Sequence, residues 1–248
     1  MLTIGTSVLF FSFKRQSFYI INIIALCVIW ALTDTVYDKS ELAHGIAYSS
    51  ELPLWISVII LIVTVLNEVT KEFASKFHLI ILSKPISRDA FLIGKILGSF
   101  MTAIICYAVY LSFYYISFSI QNDIETSFLV NVVYPFLFKS FYIWILCVFC
   151  CCCAVFMSEA FTVLFIGAYI FASIFFNILP LLSIPSFEVH ILILKGITLF
   201  FPNLLLFQTV DYKGISLHVI LNLSIYVMGM TCILLPISLQ KFRVKSFT

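Results

Sequence analysis

Long apolar runs separated by short polar stretches dominate this chain. Six of the runs are long enough to cross a bilayer as helices, which takes about 20 residues. Because they lack the alternation of half-buried strands, the pattern predicts an all-α, polytopic membrane protein with six transmembrane helices in one domain, residues 1–248. The predicted spans are residues 18–36, 52–70, 91–120, 140–158, 160–182 and 217–239.

Two boundary regions need a separate interpretation. Residues 1–13 are apolar but too few to span, so they are predicted to form an interfacial helix on the cytoplasmic face. Lys14 and Arg15 follow this run instead of preceding it, unlike the order in a cleavable signal peptide. A lysine at mid-membrane costs about 2.5–3.5 kcal/mol. Lys139 is therefore expected at the outer interface, after an interfacial lead-in over residues 128–138.

Residues 180–207 are apolar but interrupted by prolines and charges. They can be interpreted as a seventh span, which would place the basic C-terminal tail outside, or as a re-entrant pair of short helices, which keeps it inside. Irregular backbone is tolerated at membrane depth where protein covers it or water reaches it. We therefore expect the re-entrant pair. The interruptions are Pro180, Pro185, Glu188, Lys195 and Pro202.

Composition supports a bilayer as the solvent of this chain. Of its 248 residues, 62% are hydrophobic and 10% are charged, whereas soluble domains average about 45–50% apolar and about 25% charged residues. One water-soluble core could not hide that much apolar surface. The formal net charge of +2 gives no indication of a nucleic-acid partner.

The basic residues gather on one side of the predicted spans. Because the side richer in lysine and arginine faces the cytoplasm, both termini are predicted to be cytoplasmic in a multi-pass protein of the cell (inner) membrane. The ten residues on that side are Lys14, Arg15, Lys71, Lys76, Lys84, Arg88, Lys95, Lys241, Arg243 and Lys245, and the four on the other are Lys39, Lys139, Lys195 and Lys213.

The eight cysteines all fall inside apolar runs. Consecutive residues on a helix are about 100° apart, so the run Cys150–Cys153 winds around a helix and does not converge on a metal. We expect packing residues there, and lipidation near a membrane face is the alternative. The sequence has no HExxH, no GxSxG and no phosphate-binding loop. It therefore predicts neither catalytic nor metal-binding residues, and no ATPase or other enzyme activity of its own.

An amphipathic segment, residues 69–83, follows the second span. Its apolar residues recur at helical spacing, while Lys71 and Lys76 take the other side, which predicts a helix lying on the cytoplasmic surface. Pro85 ends this helix by about Ser83, and Ser87 is predicted to cap the next one. The alternative is a solvated loop whose lysines touch anionic lipid. The apolar residues are Val69, Phe73, Phe77, Ile80 and Ile81.

Residues 67–100 read NEVTKEFASKFHLIILSKPISRDAFLIGKILGSF. They resemble the signature region of type-2 ABC exporter permeases. In that family an acidic residue ends the second span, and a coupling helix leads to L-S-x-P-x-S-R and then to G-K-x-x-G. Within the family, the likeness is to permeases that work beside nitrous-oxide-reductase maturation or gliding-motility ATPases. The matching residues are Glu68, Glu72, Leu82, Ser83, Pro85, Ser87, Arg88, Gly94, Lys95 and Gly98.

The resemblance implies the membrane-spanning permease subunit of an ABC exporter. Its partners would be a cytoplasmic ABC ATPase, which binds the ATP and magnesium, and a second permease copy in a homodimer or heterodimer. Gly94 and Gly98 form a GxxxG pair, which allows close helix packing either within the chain or at a dimer seam. The residues expected to couple to the ATPase are Glu68, Glu72, Phe73, Phe77, Ile80, Pro85 and Arg88.

Three other functions remain open at this point. A secondary transporter or channel would need carboxylates or broken helices at mid-membrane, and only the region between Pro180 and Pro202 comes close. A membrane-embedded enzyme would need an acid–base constellation. The same permease fold could also serve assembly or signalling. The substrate is unidentified, and nearly charge-free spans favour a lipid-like or amphipathic one.

Overall fold

The computed structural model describes residues 4–8, 16–35, 51–70, 87–122, 132–178 and 217–245, and every regular element in these ranges is helical. The predicted all-α class is thereby confirmed for the described part of the chain. Residues 4–8 form a short helical segment, and α2 continues into a π-helical turn, Leu66–Thr70. The long helices are α1 Gln16–Thr35, α2 Glu51–Val65, α3 Arg88–Asn122, α4 Tyr134–Phe156, α5 Glu159–Ile178 and α6 Leu217–Lys245.

Each predicted span coincides with one of these helices, and four of them contain stretches long and apolar enough to cross a bilayer. The described apolar parts of α1 and α5, Phe18–Ala31 and Glu159–Phe171, are shorter. The apolar helices indicate a membrane-embedded protein, and the number of six spans stays a prediction. The four long stretches are Glu51–Thr70, Arg88–Ser117, Pro135–Phe156 and Leu221–Val244.

Two helix boundaries differ from the prediction. α4 begins at Tyr134 and not at Ser140, so the last part of the expected lead-in belongs to the helix. Pro135 stands in the first turn of α4, where its missing N–H leaves no helical hydrogen bond unmade. Lys139 therefore lies inside α4 and not at its start. The carboxylate of Glu51 on α2 compensates the charge of Lys139 at this position. α6 continues to Lys245, beyond the predicted end of the last span.

Two other boundaries agree with the sequence. Ser87 caps α3, because its Oγ accepts a hydrogen bond from the backbone N–H of Ala90 at 3.3 Å. α4 ends at Phe156 and α5 begins at Glu159, which leaves a tight turn between them. The acidic side chain of Glu159 then stands in the first turn of α5, where the helix dipole favours a negative charge.

α2, α3 and α4 enclose the main hydrophobic core, α5 packs against α4, and α6 packs against α4 and α3. α1 joins a second cluster with α2 and α3, and its Asn22 accepts a hydrogen bond from the hydroxyl of Tyr110. Core residues recur at helical spacing, so each helix buries one face. They include Leu54, Val58 and Leu61 of α2, Leu92, Ile96 and Tyr107 of α3, and Tyr142, Ile143 and Leu146 of α4.

The contacts fix how four helices run relative to one another. The end of α2 meets the start of α3 at Glu68 and Lys95, so these helices are antiparallel. The starts of α2 and α4 meet at Glu51 and Lys139, so these two are parallel. α6 ends beside the start of α3, at Arg243. α2, α4 and α6 therefore share one direction, and α3 opposes them.

The outer faces of the helices are strongly apolar. Large hydrophobic side chains stay mostly exposed along α1, α5 and α6, where a water-soluble protein would place polar residues. In a bilayer the same faces contact lipid chains. Examples are Ile20, Ile23, Phe161, Leu164, Phe171, Ile225 and Met228.

Three predicted elements fall largely outside the described residues. The interfacial helix over residues 1–13 is described only at 4–8, and the coupling helix over residues 69–83 only at its first two residues. The re-entrant pair over residues 180–207 lies entirely outside them. All three stay predictions.

Candidate functional site

A buried ion pair joins the end of α2 to the start of α3. The ammonium of Lys95 donates to Oε2 of Glu68 at 2.9 Å, and the two side chains are only 7% and 6% exposed. Glu68 stands in the π-helical turn that follows α2, where an extra residue per turn changes the direction of side chains. Lys95 also lies 5.6 Å from the centre of the Phe91 ring, one turn earlier on α3. The positive charge is thus held between a carboxylate and an aromatic face.

A second, more exposed cluster lies at the same end of the helices. Arg243 of α6 binds both carboxylate oxygens of Asp89, with Nε donating to Oδ1 at 2.8 Å. Arg88 donates to the backbone carbonyl of Arg243 at 3.1 Å, which satisfies a carbonyl near the C-terminus of α6. The rings of Phe91 and Phe242 stack beside these polar contacts, 6.1 Å apart. α6 is therefore tied to the first turn of α3 by both charge and packing.

These contacts bring together the separate pieces of the sequence motif. Glu68 precedes residues 71–86, and Arg88 and Lys95 follow them, yet all three side chains belong to contacts at one end of the helices. We call this the Lys95 end. The segment predicted to meet the ATPase thus begins and finishes at a cluster that links α2, α3 and α6.

A third ion pair lies at the opposite end, which we call the Lys139 end. The ammonium of Lys139 donates to Oε1 of Glu51 at 2.7 Å, and the Lys139 side chain is fully buried. Glu51 and Glu68 lie on the same helical stretch, so at 1.5 Å per residue the two pairs are separated by about 25 Å. α2 is clamped to α3 at one end and to α4 at the other.

The two glycines of the GxxxG pair lie against the N-terminal segment of the same chain. A Cβ added to Gly98 would be 2.6 Å from Cβ of Val8 and 2.7 Å from the carbonyl oxygen of Gly5. A Cβ added to Gly5 would in turn be 3.4 Å from the carbonyl oxygen of Gly94. The glycines allow residues 4–8 to approach α3 closely, which is packing within the chain.

The cysteine run on α4 is buried in the helix core. Cys147, Cys150 and Cys151 have no exposed surface, and the thiol of Cys147 donates to the carbonyl of Ile96 on α3 at 3.4 Å. Burial of all four residues from Cys150 to Cys153 supports a packing role. In the described residues, histidine, cysteine and carboxylate side chains form no group of three able to hold a metal ion.

The structure describes four of the nine residues predicted to couple or pack: Glu68, Arg88, Gly94 and Gly98. The remaining five, Glu72, Phe73, Phe77, Ile80 and Pro85, lie outside the described residues.

Sequence reasoning missed the three ion pairs at the helix ends, including that of Glu68 with Lys95, although both of those residues belong to the motif. Lys139 and Glu51 both stand near the start of predicted spans on the same side, which allows their pairing but does not show that α2 and α4 are neighbours. The contact between Asp89 and Arg243 joins two residues far apart in the chain, and no sequence pattern indicated it.

No protein-family model matches the sequence, and the search of curated proteins also gave no match.

Proposed function

We propose that this chain is the membrane-spanning permease subunit of an ABC transporter of the exporter type. It would work as one of two permease copies, with ATP hydrolysed on a separate cytoplasmic ATPase. The proposal rests first on the motif of residues 67–100, which resembles the coupling region of type-2 exporter permeases. It rests second on the way the structure connects the two ends of that motif.

The observation that carries the proposal is the buried pair between Glu68 and Lys95. A partner that pushes on residues 71–86 applies force at Glu68 and at the first turn of α3 together. Removing one member of such a dry pair typically costs about 3–5 kcal/mol, because the other charge is left buried alone. The pair connects the ends of α2 and α3, and the contact between Arg243 and Asp89 connects α6 to the same end.

Mechanical coupling of this kind is what an ATP-driven permease needs. Closure of two ATPases changes the spacing of the coupling segments, and rigid helices carry that displacement across the bilayer. A loosely held loop would absorb the movement instead. The described spans hold their buried charges in pairs at the helix ends, which leaves the middle apolar and favours a lipid-like or amphipathic substrate over an ion.

The test uses the tagged permease and a cytoplasmic ABC ATPase that co-purifies with it. Phe77→Ala should release the ATPase while the permease stays inserted and folded, because truncating a buried aromatic anchor costs about 3–5 kcal/mol. Lys71→Gln combined with Lys76→Gln is the control, because exposed charge pairs contribute only about 0–1 kcal/mol.

Retention of the ATPase by Phe77→Ala together with its loss from the double lysine variant would mean that the segment is an electrostatic surface anchor. Substrate movement that continues in vesicles without any ATPase would instead indicate a secondary transporter or channel. A complex that hydrolyses ATP without moving substrate would favour use in assembly or signalling.

A further inference from the structure

The ion pair at the Lys139 end is unusual for its burial. Lysine is seldom fully buried, yet the Lys139 side chain has no exposed surface, while its partner Glu51 keeps 13% of its own. Glu51 is also the first residue of α2. The pair therefore stands at the border between the dry helix core and the polar region where α2 begins.

Aromatic side chains flank this pair on both sides along α4. One turn before Lys139, the ring of Phe136 stacks on Tyr107 of α3 at 6.0 Å, with the planes 13° apart. One turn after it, Tyr142 is almost fully buried. Lys139 and Glu51 thus form a charged link between α2 and α4 that is flanked by aromatic packing.

Two arrangements of such a pair are favourable, and the states between them are not. The charges are stable when they touch in a dry environment, and they are stable when they separate and each is hydrated. Charges that are separated but still dry are strongly unfavourable. An apolar pair of similar volume would hold the helices at least as well, but its contact would weaken gradually. The ion pair therefore gives this helix contact two distinct states.

We propose that the Lys139–Glu51 pair is a latch that closes the seam between α2 and α4 to water at the Lys139 end, and that the seam opens when the pair separates. In the proposed transporter this latch would govern the opening of the bundle at the end remote from the ATPase. That use rests on the proposed function, but the latch itself can be tested without ATPase or substrate.

The Lys95 end provides a matched comparison. There a second Lys–Glu pair of similar burial joins α2 to α3, but the Asp89–Arg243 contact and the Phe91–Phe242 stack tie α3 to α6 as well. Because the two pairs are separated by about 25 Å along α2, loss of the Glu68 carboxylate should leave the Lys139 end closed. Loss of the Glu51 carboxylate should open it.

The experiment measures water access with a small charged methanethiosulfonate reagent on the full chain in lipid nanodiscs. A reporter cysteine is introduced by Ile143→Cys, because Ile143 is fully buried one turn from Lys139 on the same face of α4. The exposed Cys27 and Cys232 are changed to alanine. Buried Cys150 serves as an internal reference deeper in the bundle, and mass spectrometry resolves the sites.

Glu51→Gln should raise the modification rate at position 143 at least tenfold, with less than a twofold change at Cys150. Glu68→Gln should change position 143 less than twofold. If Glu51→Gln does not fold, Lys139→Met is the second variant, because it removes the buried cation and leaves a carboxylate that water can reach; the same tenfold rise is expected. The charge-swapped pair, Glu51→Lys with Lys139→Glu, should restore protection.

An unchanged rate at position 143 in the folded Glu51 or Lys139 variant would overturn the latch. So would an equal rise at position 143 and Cys150, because that result would show a general loosening to which the pair contributes only stability. Either result leaves the ATPase-binding test of the proposed function unaffected.

Discussion

Replacing Gly98 by alanine should destabilise the protein through one identifiable clash. The new Cβ would lie 2.6 Å from Cβ and 3.0 Å from Cγ1 of Val8, and 2.7 Å from the carbonyl oxygen of Gly5. Non-bonded carbon atoms pack best at about 3.5–4.0 Å. Residues 4–8 must therefore move away from α3 by about 1 Å, and the contact of Val8, which is fully buried, is lost or strained.

The expected magnitude follows from two opposing effects. Overpacking of this kind typically costs about 1–3 kcal/mol. Alanine in a helix interior is favoured over glycine by about 0.5–1 kcal/mol, which offsets part of that cost. We expect a net loss of about 1–2 kcal/mol in the free energy of unfolding. The measurement is thermal or SDS-induced unfolding of the purified chain in lipid–detergent micelles.

Two other glycines provide controls on the same chain. A Cβ added to Gly167 of α5 or Gly229 of α6 would meet no atom within 4 Å. Gly167→Ala and Gly229→Ala should therefore leave stability unchanged or raise it by up to about 1 kcal/mol. A Gly98→Ala protein as stable as the two controls would refute the packing of residues 4–8 on α3.

Three further predictions concern charge, topology and nucleotide binding. Glu68→Gln should lower the free energy of unfolding by about 3–5 kcal/mol, because it removes the carboxylate that compensates the buried Lys95 cation. Asp89→Asn should cost no more than about 1 kcal/mol, because its ion pair is largely exposed; thermal unfolding compares the two. Reporter fusions should place Asp123 outside and Lys245 inside, and an external Lys245 would contradict six spans. The purified permease alone should not be labelled by a photoreactive ATP analogue, and specific labelling would show a nucleotide site on this chain.

The positions of the helices could be predicted from the sequence because each long apolar run has one stable form in lipid. Backbone groups in hydrocarbon must bond within their own segment, so a run of about 20 apolar residues becomes a helix. The sequence also identified the cap at Ser87, because its hydroxyl stands three residues before Ala90, whose backbone N–H has no partner within the helix. These predictions depend only on residues that are close together in the sequence.

The start of α4 was placed wrongly because its stability depends on a distant residue. Insertion scales describe the cost of a lone lysine in a helix. Lys139 is not alone, since a carboxylate from the start of α2 neutralises it. The same reason hid the contact between Asp89 and Arg243, whose partners come from α3 and α6. Partnerships across the bundle are a property of the packed structure, and one sequence does not show which helices become neighbours.

The fixed separation of the two carboxylates on α2 has a consequence for the bilayer thickness that this helix matches. About 25 Å lies between Glu51 and Glu68, which is less than the average hydrocarbon thickness of about 30 Å. In a thick bilayer, both buried charge pairs would lie at the depth of the hydrocarbon unless the membrane thins locally or the helices tilt, at fractions of a kcal/mol per Å. The distance between the two charge pairs on α2 thus sets the hydrophobic length of this helix, which the bilayer has to match. Short-chain lipids should therefore match the length of α2 between its two charge pairs more closely than long-chain lipids do.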